Sequence, residues 1–402
     1  MDCAWFETRS RTEGETLMDC LTEFLLTDWV YATVSVVVVF VILLNITILM
    51  VWLERKIVAD MQDRLGPMRA GPFGILQTVA DGIKLLFKEQ IMPSRAEKWV
   101  YLLAPAIAVI TAFLMFLVVP IAKPISVLIN GQIRTLDFVV MDLNIGVLYV
   151  LAISSIAVYA VVLAGWSSGS KYPLLGGVRA TAQAISYEAA MGLSLVSVVM
   201  YSSLADIGGV NNGLSVSHLV ELQSGTLENI FGGRAAFLLK FVPAWNVWPL
   251  IIPFAIFIIA ALAETNRAPF DLAEAEQEIV GGFHTEYSGM RFAMFFLAEY
   301  VNIFTMSAVG ASLFLGGYHF PPFDGLVGWL GVFLSFGVFI TKVMAIFFLF
   351  IWLRASVPRF RYDQLMTLGW KRLIPIGLVW LVASTLVLGV RQFGFPDWVP
   401  FV

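Results

Sequence analysis

Residues 261–300 read ALAETNRAPFDLAEAEQEIVGGFHTEYSGMRFAMFFLAEY, closing one apolar run, crossing an acidic loop and opening a second apolar run. Six glutamates and one aspartate fall within it: Glu264, Asp271, Glu274, Glu276, Glu278, Glu286 and Glu299. A D-x-x-E pattern from Asp271 to Glu274, followed by Gly281-Gly282, predicts a short helix over 272–280 capped at both ends. Glu274 and Glu278 would then be like charges four residues apart, which costs roughly a few tenths of a kcal/mol. Intrinsic helix stability therefore does not explain why the acids sit together.

The rest of the chain shows what kind of protein carries this loop. Of 402 residues, 59% are hydrophobic and 13% charged, with mean hydropathy +0.84. A soluble domain carries about 25% charged residues. Eight apolar runs are near or above the roughly 20 residues a helix needs to cross the hydrocarbon core. They lie at about 29–53, 99–120, 145–165, 178–201, 246–264, 288–314, 326–353 and 373–391. Barrel-type alternation is absent, so the backbone must satisfy itself within helices. The chain is read as an all-α polytopic membrane protein: a polar extension over 1–28, one transmembrane domain over 29–391 and a short tail over 392–402. No cleavable signal peptide is evident; the first run is an anchor that stays.

Lys and Arg beside spans are retained on the cytoplasmic side. With edge residues assigned to the nearer loop, 17 fall in odd-numbered loops and 7 in even-numbered loops and termini. The odd loops, the acidic one included, are expected to face the cytoplasm, with both termini opposite. Cys3 and Cys20 both precede the first span, which excludes a thiolate-ligated zinc or iron–sulfur centre within this chain. They are read as unrelated thiols, with a disulfide as the alternative. His218, His284 and His319 show no ligand spacing. Loops two and four carry turn signals and no clustered chemistry, and are expected to cap the far side.

After the first span, Gly66-Pro67 and Gly71-Pro72 impose two turns. Leu76, Ala80, Ile83 and Phe87 then repeat on one face, with Gln77, Asp81, Lys84 and Lys88 on another. This predicts an amphipathic interfacial helix over 73–88. In span four, Arg179, Gln183 and Tyr187 share a face, and Glu188 lies about 13 Å inward of Arg179. In span six, Glu299 falls about 20 Å beyond Glu286 along a straight helix, off its face. Lys342, mid-span, is expected to pair with a carboxylate such as Glu188 or Glu299, with a water cluster as the alternative.

A carboxyl in low dielectric has its ionised form disfavoured and can hold and release protons. Kept charged at mid-depth, each would cost roughly 3 kcal/mol on insertion scales. Glu188, Glu264, Glu286 and Glu299, fed by the acidic loop, look like a proton route from one face. Nucleophile elbow, phosphate loop and metal cluster are all missing.

Four segments carry a resemblance: ETNRAPFDLAEAEQEIVGGFHTEYSGMRF, RLGPMRAGPFGILQTVADGIKLLFKE, GWSSGSKYPLLGGVRATAQAISYE and IWLRASVPRFRYDQLM. Together the sequence is similar, over about 29–391, to the H-subunit family of proton-pumping NADH-quinone oxidoreductase, respiratory complex I. The resemblance implies a membrane-arm component that contributes to the quinone chamber and couples quinone reduction to proton translocation. It implies that NADH, FMN and iron–sulfur clusters belong to partner subunits of the membrane and peripheral arms, that quinone is the substrate, and that the bilayer is bacterial plasma (inner) membrane. Nucleic acid is not an expected partner. Carried over by motif, the acidic quinone-side loop falls on Asp271, Glu274, Glu276 and Glu278, and the membrane carboxylates on Glu188, Glu264, Glu286 and Glu299, with Lys342 grouped with them for proton coupling. Quinone contacts fall on Arg64, Arg69, Phe283, Arg359 and Arg361. Met68 and Gly169 stand where the family usually has Asn. The rival readings are a related component of a membrane-bound hydrogenase-type complex and a stand-alone cation/proton antiporter, whose internal repeats are not found here.

Overall fold

The computed structural model describes residues 28–129, 132–205, 213–225, 243–273, 276–325 and 328–393. Both cysteines and Glu274 lie outside them. The main helices are α1 (Asp28–Met61), α2 (Gln77–Phe87), α3 (Lys98–Phe116), α4 (Gly146–Ser167), α5 (Lys171–Ala205), α6 (Ile251–Glu264), α7 (Gly289–Phe314), α8 (Trp329–Ser356) and α9 (Ile374–Phe393). Seven helices among the described residues are long and apolar enough to cross a membrane. They match seven of the eight expected spans.

The fifth expected span is shorter than its apolar run. α6 has 14 residues, about 21 Å of rise against roughly 30 Å of hydrocarbon. Its start follows from Pro253, which the first helical turn tolerates because that N–H has no partner in the helix anyway. Its end follows from Asn266, which turns into the left-handed region at φ 51°. α5 begins seven residues before the expected 178 for the same reason, with Pro173 in its first turn. There α4 and α5 close a tight hairpin: a Cβ on Gly165 would lie 2.5 Å from the Pro173 carbonyl oxygen. Gly169, in the turn between them, has φ 65°. Asn also reaches that region, so the departure from the family pattern leaves the turn intact.

α7 is the hub, packing against α1, α2, α3, α6 and α8, and every residue from Ile303 to Phe314 is buried. α5 carries α4, α6 and α9 on its other faces. Loop two contains an antiparallel hairpin, Ile125–Ile129 with Gln132–Leu136, which the turn signals alone did not indicate. The amphipathic helix is present but begins at Gln77, because Phe73 (φ 55°) breaks the chain into a separate turn at Pro72–Gly74. Its apolar side chains Ile83, Leu86 and Phe87 are exposed, as a helix lying in a lipid interface requires. Its polar face is tied to α1 by Arg55 and Asp81 at 2.7 Å. Partial burial pushes the Asp81 carboxyl up, but Arg55, with Gln77 and Lys84, holds it below its ordinary range.

The helix expected over 272–280 is not seen as such. Among the described residues of that segment only Glu276–Ile279 makes a helical turn, and it ends on Val280 at φ 67° rather than on the Gly281-Gly282 pair. Local capping signals lose here to burial: Phe270, Leu272, Ala273 and Ile279 are all turned into the protein. The segment then passes over α5, where a Cβ on Gly176 would stand 2.7 Å from the Gly282 Cα and the Phe283 nitrogen. A stack of Tyr101 on Tyr287, centroids 4.1 Å apart, and the Tyr101 hydroxyl donating to the Glu286 carbonyl at 2.8 Å fasten it to α3.

Candidate functional site

One face of α5 organises the acidic loop. Arg179 donates to Glu278 at 2.8 Å, Gln183 donates to the carbonyls of Ala263 (2.8 Å) and Phe270 (2.7 Å), and Tyr187 donates to that of Leu365 at 2.9 Å. The stripe read from spacing is therefore a set of anchors. Arg359 approaches the other oxygen of Glu278 at 3.9 Å. Two guanidiniums thus flank Glu278. Glu276 is placed in the turn, while the side chain of Glu276 and all of Glu274 fall outside the described residues.

Below this loop lies an ion network that the sequence reading did not foresee. Arg267 bridges Glu54 (2.6 Å) and Glu299 (2.5 Å), and Arg354 also binds Glu54. The four formal charges cancel. Side chains of Arg267 and Glu54 are only 8% and 7% exposed, and burying charge so deeply is tolerable only with such mutual pairing. Arg267 also lies 4.4 Å over the Tyr300 ring. The signal available in sequence was weak: Glu54 and Arg354 sit at span ends, where charges are ordinarily solvated.

A cavity of about 90 Å³ opens between α3, α4, α5, α6 and α7, lined by Glu264, Glu299, Thr265, Asn266, Asn302 and His284 among mainly apolar neighbours. That volume holds several waters at about 15 Å³ each, and its polar lining offers them partners. Glu264 is 6% exposed and its Oε2 has no hydrogen-bond partner among the described residues. Glu188 is within electrostatic reach of Glu264 and accepts from the Ser155 hydroxyl on α4. Asp271 is within electrostatic reach of Glu299. Tertiary packing thus brings Glu188, Glu264, Asp271 and Glu299 into one system.

The remaining expected residues divide. Glu286 precedes α7, so it is not on that helix at all, and it does not line the cavity. Lys342 does not take the expected partners: its ammonium donates to the carbonyls of Leu315 (2.6 Å), Gly317 (2.8 Å) and His319 (2.7 Å), under Trp245 at 4.6 Å. Those carbonyls follow the C-terminus of α7, where a cation is favoured by the unpaired oxygens and the helix dipole. Glu299 is held by Arg267 instead. Phe283 is buried on the cavity wall. Arg64 and Arg69 are exposed in the loop after α1, and Arg361 is exposed at the start of the helix Tyr362–Leu368. Among the described residues no group of three metal-ligating side chains occurs.

A family model described as NADH dehydrogenase matches residues 34–385. An H subunit of NADH-quinone oxidoreductase from Frankia casuarinae is 47% identical over 347 residues, covering 86% of this chain and 70% of that protein. An H subunit of NADH-quinone oxidoreductase from Geobacter sulfurreducens is 46% identical over 365 residues, covering 89% of this chain and 95% of that protein. Neither the hydrogenase-type nor the antiporter reading finds support among these relatives.

Proposed function

The chain belongs to the NADH dehydrogenase family, alongside the H subunits of NADH-quinone oxidoreductase, and from that membership we propose that its acidic loop and carboxylate cavity couple quinone reduction to proton movement. It is an integral membrane protein and a membrane-arm component of complex I, with other subunits of that complex as partners. The finer assignments belong to this reading: a bacterial inner membrane, quinone as substrate, and NADH, FMN and iron–sulfur clusters carried by other subunits. When bound to those partners, the redox groups supply the electrons. What this chain supplies is a place for protons.

The observation that carries the reading is the cavity joining Glu264 and Glu299 in the membrane to Phe283 and His284 in the loop. Reduction of a quinone to a quinol takes up protons with the electrons, so a charge change at the loop face alters the field felt by buried carboxylates nearby. In this reading that field originates beside Arg179, Arg359 and Glu278, which lie together at the loop face. Arg267 connects the loop to Glu299 through a 2.5 Å contact. Asp271, Glu274 and Glu276 extend the loop's acidic set. Arg64, Arg69, Arg359, Arg361 and Phe283 are assigned to the quinone chamber, and Glu188 and Glu286 to the proton route. Lys342, caged by carbonyls, holds the far end of α7 against α8 within the same coupling unit.

Glu299→Gln and Glu278→Gln test this. Glutamine keeps shape and hydrogen-bonding capacity but exchanges no proton at neutral pH. Artificial-acceptor reduction should persist in membranes of both variants, while quinone reduction and proton pumping fall. Assembled variants with full quinone-linked pumping would leave this chain a chamber wall and anchor.

A further inference from the structure

We propose that His284 is a proton-relay residue at the loop end of the cavity, passing protons between the acidic loop and the Glu264 and Glu299 carboxylates. The inference rests on the coupling role proposed above and adds a group to it.

Placement comes first. His284 ends the turn Gly282–His284, five residues before α7 begins at Gly289, and it lines the cavity that Glu264, Glu299, Asn266 and Asn302 also line. Glu299 is ten residues into α7, about 15 Å of rise. The cavity therefore runs from loop level to the depth of the carboxylates, with the imidazole at one end.

The ring's surroundings come second. Phe283, Phe292 and Phe296 meet it edge-on, at 5.0, 5.3 and 6.2 Å between centroids. This collar orients the ring and takes up none of its hydrogen-bonding capacity, and no described side chain bonds its nitrogens. The titratable groups on the elements around the same cavity are Glu264 from α6 and Glu299 from α7, with Glu188 of α5 and Asp271 of the loop behind them. Burial among these rings lowers the imidazole pKa to about 4, so the ring is neutral at pH 7.

A neutral imidazole accepts at one nitrogen while donating from the other. A proton arriving on the bare nitrogen makes a new N–H bond as the proton on the opposite nitrogen leaves toward the carboxylates. Rotation of the ring about its Cβ–Cγ bond restores the starting tautomer with the proton delivered, so no charge is stored. A packing role would be served as well by phenylalanine, given three phenylalanine neighbours, and that separates the two accounts.

The test uses the whole complex in native membranes, with Glu299→Gln alongside. His284→Phe should leave artificial-acceptor reduction unchanged and lower quinone-linked pumping about a hundredfold, the low end for a positioned proton-transfer group. Pumping within about twofold of the parent would overturn the relay, since so small a change is below any such contribution. Should His284→Phe not assemble, His284→Gln carries the same expectation and the same refutation. If Glu299→Gln stops pumping while His284→Phe pumps normally, the relay falls and the coupling reading stands. If both pump normally, both fall.

Discussion

Removing Arg267 should cost more than removing Arg267 and Glu299 together. The guanidinium is 8% exposed and holds two carboxylates at 2.6 and 2.5 Å. In Arg267→Gln, Glu54 keeps Arg354, but Glu299 loses the guanidinium that balances it. Leaving one buried charge unpaired costs about 3–5 kcal/mol, and with Glu54 still compensated the lower figure applies. Loss of the cation from the Tyr300 face, 4.4 Å away, adds about 1 kcal/mol. The single variant is thus expected to lose about 4 kcal/mol, while the double variant Arg267→Gln/Glu299→Gln carries no orphaned carboxylate and should recover about 3 kcal/mol. Heat inactivation of a membrane complex is irreversible, so the assay is the half-life of artificial-acceptor activity and of the intact complex in detergent at a fixed raised temperature. The expected order is parent longest, double variant next, Arg267→Gln shortest. A double variant as labile as Arg267→Gln, or more so, would refute the assignment of that energy to an uncompensated Glu299.

Gly176→Ala should prevent the loop from seating, because its Cβ would stand 2.7 Å from backbone at Gly282 and Phe283; quinone-linked activity and assembly should both fall, whereas Gly192→Ala, with open space, should be silent. The fold depresses the His284 pKa from 6.5 to about 4, so its contribution is present above pH 6.5 and lost as pH falls toward 4. Up to about 3 kcal/mol is at stake, nearer 2 after allowing for the ring's partial exposure. Protection factors over 280–288, each exchange rate divided by its intrinsic rate at that pH, should fall across that range in the parent and not in His284→Phe. A cysteine at Gly325 should react with an impermeant reagent from outside and one at Ser356 only from the cytoplasmic side; the reverse would overturn the orientation drawn from the cation asymmetry.

Much of the architecture was readable because a bilayer imposes a one-dimensional rule. Each span must be a long apolar helix satisfying its own backbone, so runs of residues locate helices without knowledge of their neighbours. The amphipathic helix at Gln77–Phe87 was visible for a similar reason, its faces repeating every three to four residues. Errors gathered where local rules met tertiary packing. The acidic helix over 272–280 gave way to the burial of Leu272, Ala273 and Ile279, whereas the helix starts near Pro173 and Pro253 were local signals that the apolar-run rule passed over.

The candidate site divides along the same line. Composition and spacing by themselves determined that carboxylates stand in and beside spans and that Arg179, Gln183 and Tyr187 share a face. Only the tertiary structure decided which charges meet. Glu54 and Arg267 are 213 residues apart and Glu54 and Arg354 are 300 apart, and Lys342 went to carbonyls beyond α7 rather than to Glu299. The physical reason is that burial requires charge to be balanced in space, and many pairings along a chain can satisfy that balance. Helix packing selects one of them.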